Sequence, residues 1–100
     1  MPGASRPFSY TLAAPDTFKI TAAMGVYALS YQVSGTDGDN ATFLGSGKLP
    51  AADGQAEIDS APVIVPAGGG NNIVPSQANQ ALDGITITAN QGTVGIILGF

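Results

Sequence analysis

Short segments rich in Val, Ile, Thr, Phe and Tyr recur along this chain, each closed off by Gly, Pro, Asn or Asp, at spacings of roughly 8 to 12 residues. No stretch shows apolar residues at the 3.6-residue period for long enough to compete as a helix. That punctuation constrains the fold more than any other feature. It predicts an all-β chain of about eight short strands, folded as an antiparallel β-sandwich or jelly roll. Near the start, Phe8, Tyr10 and Leu12 alternate with Ser9, Thr11 and Ala13, and Phe18, Ile20 and Ala22 alternate with Lys19 and Thr21. Period-two alternation sends one set of side chains to each face of a strand, so these apolar residues are expected inside. At Gly25 the phase shifts, which suggests a bulge or bend. Beyond it Tyr27, Leu29, Tyr31 and Val33 take the inward positions. Phe43 completes an aromatic set expected to serve as core.

Ser34-Gly35-Thr36-Asp37-Gly38-Asp39-Asn40 supplies residues that tolerate a tight reversal, so a hairpin is expected to lead into a strand over residues 41–48. A turn at residues 50–54 precedes a short polar strand at 55–60. Pro62-Val63-Ile64-Val65-Pro66 reads as a proline-bounded strand at a sheet edge. Gly68-Gly69-Gly70-Asn71-Asn72 reads as a flexible tip, and residues 73–81 as a loop with at most one helical turn. Ile85-Thr86-Ile87-Thr88-Ala89, Asn90-Gln91-Gly92 and Thr93-Val94-Gly95-Ile96-Ile97-Leu98 read as a terminal hairpin.

At 100 residues the chain is sized for one domain, expected to span residues 1–100. Hydrophobic residues make up 44%, enough to drive folding, but only 10% are charged, against roughly 25% in an average domain. A lone chain stays dispersed by carrying charge, so a surface this neutral points to coverage by neighbours. Three basic residues in a chain of net charge −4 form no row of phosphate contacts, which argues against nucleic acid as a partner. No apolar run approaches the ~20 residues of a membrane-spanning helix. Residues 1–7 lack the apolar core of a secretory signal, so the expectation is either a protein made in the cytoplasm and used without export or a processed form.

Catalytic chemistry has little to stand on. Without Cys or His, thiolate nucleophiles, disulfides, Ser-His-Asp arrangements and the usual zinc sites are excluded. Glu57 and Asp59 share one strand face at i and i+2, the one carboxylate pair available for glycosidase-like chemistry. With no Trp to platform a sugar, the pair reads better as a charged strand surface. Asp37-Gly38-Asp39-Asn40 offers oxygen ligands to a hard cation, yet lacks the spacing and distal Glu of an EF-hand and serves equally as turn chemistry. The glycine run has no following Lys-Ser or Lys-Thr for phosphate. No catalytic residue, metal or cofactor is expected.

Residues 81–98, Ala-Leu-Asp-Gly-Ile-Thr-Ile-Thr-Ala-Asn-Gln-Gly-Thr-Val-Gly-Ile-Ile-Leu, resemble the end of small structural proteins encoded by tailed bacteriophages, as does the strand and turn of residues 26–35. The resemblance implies a compact β-sandwich or jelly roll on the capsid shell or within the tail, as a trimer or another symmetric oligomer. The expected function is therefore a non-catalytic virion protein that decorates or cements a capsid, its partners being copies of itself and major capsid or tail proteins. A tail or fibre component and a carbohydrate-binding or adhesion module are the alternatives. Val94, Ile96, Leu98 and Phe100 line one face of an almost uncharged terminal strand that would aggregate if left unpaired; a partner chain would remove the hazard, which makes them the candidate interface, and closing the strand inside the chain's own core would remove it too.

Overall fold

The computed structural model describes residues 7–49, 54, 56, 58–73 and 80–100. Within them lie ten strands: β1 (Phe8–Ala13), β2 (Thr17–Ile20), β3 (Ala28–Ser34), β4 (Asn40–Leu44), β5 (Lys48–Leu49), β6 (Ile58–Asp59), β7 (Val63–Pro66), β8 (Gly70–Ile73), β9 (Ile85–Ala89) and β10 (Thr93–Gly99). Eight of them build two four-stranded sheets, in the orders β1-β10-β3-β8 and β2-β9-β4-β7, while β5 and β6 pair with each other. Every pairing is antiparallel. The expectation of a β-sandwich holds.

The order of pairing reveals how the chain is wound. Strand β4 pairs with β7, β3 with β8, β2 with β9 and β1 with β10, so the two halves of the chain run back along each other as one long ribbon. The ribbon is rolled until β10 also meets β3 and β9 meets β4, which closes the two sheets. This winding is a jelly roll.

It also corrects both expected hairpins. Strands β3 and β4 lie in different sheets, as do β9 and β10, so residues 35–39 and 90–92 are arches between sheets. Turn residues permit a chain reversal but carry no information about which strand supplies the hydrogen bonds afterwards. The expected strand over 41–48 is interrupted at residues 45–47, dividing into β4 and β5. The expected tip at residues 68–72 is partly strand β8, paired with β3. Gly70 is required there, because a Cβ would collide with the Tyr31 carbonyl. Gly25, at φ 70°, closes a single 3-10 turn of Ala22–Met24. Strand β7 does lie at an edge. Most of the expected loop over 73–81 falls outside the described residues.

The inward sets from both sheets form one cluster that includes Leu12, Ile20, Val26, Leu29, Val33, Ile85, Ile87, Val94, Ile96 and Leu98. Burying each of these aliphatic side chains contributes about 1.5 to 3 kcal/mol. The aromatic expectation fails in part. Tyr31 is buried and Phe18 and Phe43 pack against the core, but Phe8, Tyr10 and Tyr27 are exposed. Phe8 and Tyr10 have the inward parity of Leu12, yet they sit on edge strand β1, where solvent reaches them from the open side, although Tyr10 still stacks on Phe18 of the facing sheet.

Candidate interaction surface

The carboxylates do not assemble a catalytic site among the described residues. Asp59 is exposed on β6, and Glu57 lies outside the described residues. No group of three or more acidic, His or Cys residues among those described is placed to hold a metal. In the 35–39 arch, the Asp39 carboxylate accepts the Thr36 backbone N–H at 3.0 Å. The Asn40 amide donates to the Gly38 carbonyl at 3.1 Å, and its own oxygen accepts from Asn90 Nδ2 at 2.8 Å. These oxygens hold the arch together, which is the turn chemistry the sequence pattern allowed.

One polar contact carried no sequence signal. Asp83 accepts the Ala22 N–H at 2.9 Å and ties the β2–β3 connection to the segment before β9. Burial raises the pKa of the Tyr31 phenol by desolvating its anion. No helix among the described residues is long and apolar enough to cross a membrane.

The candidate interface on the last strand requires correction. Strand β10 is an interior strand, paired with β1 on one side and β3 on the other. Val94 is 0% exposed, and Ile96 and Leu98 are each 1% exposed, so all three belong to the core and cannot meet a partner. The apolar alternation that marked a hazardous edge is equally the pattern of a half-buried central strand. Phe100 alone remains exposed, at 38%.

What lies open is organised by charge. None of the four strands of the β1-β10-β3-β8 sheet contains a charged residue, and the β2-β9-β4-β7 sheet contains one, Lys19. The acidic residues Asp16, Asp37, Asp39 and Asp83 stand in the connections. The outer side of the first sheet presents Ser9, Thr11, Ser30, Gln32 and Ile97, with Ile97 exposed. Thr11, Gly95 and Gln32 are consecutive across the ladder, and the absent side chain of Gly95 contributes to a shallow depression of about 280 Å³. Beside it a cleft of about 380 Å³ is lined by Ser30, Gln32, Gly70, Asn71 and Asn72.

A second exposed group gathers at one end of the same sheet. Phe8 pairs with Leu98, two residues before Phe100, and the Tyr27 N–H donates to the Gly99 carbonyl at 2.8 Å. Phe8, Tyr10, Tyr27 and Phe100 therefore form an aromatic rim along β1 and the ends of β10 and β3. Four of the seven aromatic residues stand exposed there. Comparison with protein-family models, curated proteins and solved structures gave no match.

Proposed function

We propose that this protein is a non-catalytic structural component of a tailed-bacteriophage virion, decorating or cementing the capsid as a homo-oligomer, with a place in the tail or a fibre as the variant of the same reading. The observation that carries it is the distribution of charge: a whole four-stranded sheet without a charged side chain, beside an exposed aromatic rim. Such a surface gains by being covered and has no groups poised for chemistry. Jelly rolls occur in viral capsid domains and also in lectins, so the fold is compatible with the reading without choosing it. The phage resemblance of residues 81–98 supplies the remaining support.

The test is native mass measurement, followed by co-sedimentation with capsids and tail fractions of tailed phages from the same source. A symmetric oligomer that binds one of these particles supports the reading. A monomer at high concentration that binds neither overturns it.

A glycan-binding module is the second reading, favoured by the cleft of Ser30, Gln32, Asn71 and Asn72, whose hydroxyls and amides suit sugar hydroxyls. It requires binding on a glycan array, and an empty array with and without calcium removes it.

A further inference from the structure

A jelly roll leaves four strand edges, two per sheet, and each exposes backbone groups that another strand can use. Three of the four are guarded. Strand β2 carries Lys19, β7 contains Pro66, and β8 is a short Gly-Asn-Asn-Ile. Strand β1 lies between Pro7 and Pro15 but, among the described residues, has no such guard within the strand: Phe-Ser-Tyr-Thr-Leu-Ala spans six residues without charge, proline or glycine. It is also the edge along which Phe8 and Tyr10 stand 48% and 41% exposed. We propose that the β1 edge is a self-pairing seam, where β1 of one copy adds antiparallel to β1 of a second copy and joins two four-stranded sheets into one.

The occupant is a second copy because the edge suits itself. Two identical antiparallel strands related by a twofold axis centred on Tyr10 or Thr11 keep the apolar residues of both on the same face of the joined sheet. Identical surfaces meet at such an axis, so any charge would confront its own copy, and this edge has none in a chain of net charge −4. The strand offers a seam about 20 Å long. The exposed parts of Phe8 and Tyr10, on the edge strand itself, add on the order of 200 Å² of aromatic surface, about a quarter of the roughly 800 Å² that each side of a standard interface buries.

The inference rests on the assembly reading above, and one experiment separates them. Sedimentation of the full chain is compared with that of Thr11→Lys, which places a charge on the outer side of β1 without touching the core. Phe8→Lys tests the same seam at its start. Ile64→Lys, on the opposite edge at 60% exposure, is the control. Circular dichroism confirms that each variant is folded.

The expected result is an oligomer for the full chain and Ile64→Lys, and association weakened about a hundredfold in Thr11→Lys and Phe8→Lys. Backbone amides of β1 should also lose protection from hydrogen exchange in the full chain when it is diluted below its dissociation constant. Oligomers that persist unchanged in both lysine variants overturn the seam and leave the assembly reading standing. A full chain that is monomeric at every concentration, with β1 amides exchanging independently of dilution, overturns the seam, and it overturns the assembly reading as well when it also binds neither capsids nor tail fractions.

Discussion

Tyr31 of β3 and Phe43 of β4 stack across the sandwich with ring centroids 5.2 Å apart and planes 10° from parallel. The two strands are consecutive in the chain yet belong to different sheets, so this pair bridges the layers near the β8 and β7 edges. Tyr10 and Phe18 do the same at the opposite edges, with centroids 5.6 Å apart. The aliphatic cluster fills the space between them.

Because Phe43 is only partly buried, its truncation removes one stacking partner and part of a core contact. Phe43→Ala is expected to cost about 2 kcal/mol and to lower Tm by about 10 °C in a domain of this size. Differential scanning calorimetry checks it, and an unchanged Tm would show that the stack contributes nothing.

The raised Tyr31 pKa makes stability depend on alkaline pH. The folded state holds the phenolic proton more tightly than the unfolded chain, so the contribution is fully present below the unfolded value of about 10 and is lost as pH rises through the folded value. Urea midpoints should fall above about pH 10. In Tyr31→Phe that part of the fall should be absent.

Asn90 fastens the β9–β10 arch to the second sheet. Its Nδ2 donates to Asn40 Oδ1 at 2.8 Å and to Thr42 Oγ1 at 2.7 Å, while its backbone N–H donates to the Asn40 carbonyl. Asn90→Ala leaves the backbone bond and removes both side-chain bonds, which are solvent-exposed, so a loss of about 1 kcal/mol is expected. Chemical denaturation of Asn90→Ala beside Asn90→Asp measures it. Equal stability of all three proteins would refute a role for these contacts.

Gly70 lies where β8 passes closest to β3. An added methyl would strike the Tyr31 carbonyl, so Gly70→Ala should displace the edge strand and cost about 2 kcal/mol or more. Gly68→Ala gives a useful contrast, because its Cβ would meet nothing within 4 Å and only its φ of 93° is strained. Hydrogen exchange should show lost protection across the β3–β8 pairing in the first variant, and equal protection in both would sink the steric argument.

Strand positions were readable because period-two alternation and turn residues are local signals. The buried set Leu29, Tyr31 and Val33 follows directly from it. The expected interface misread the same signal. Alternation in Val94, Ile96, Leu98 and Phe100 shows that one face wants burial, but whether the chain's own second sheet or another molecule provides it depends on which strands flank β10. The aromatic rim was hidden for the same reason. Phe8 and Tyr10 have core parity, and only the edge position of β1 leaves them open.

Composition and local pattern alone thus determined an all-β chain, the approximate places of its strands and reversals, the loss of His and Cys chemistry, and a surface poor in charge. Tertiary structure alone decided that the reversals at 35–39 and 90–92 are arches, that the last strand is interior and that β1 lies at a sheet edge. The division has a physical cause: side-chain alternation and turn propensity act over a few residues, whereas strand neighbours are chosen by pairings that span up to 90 positions, such as Phe8 with Leu98.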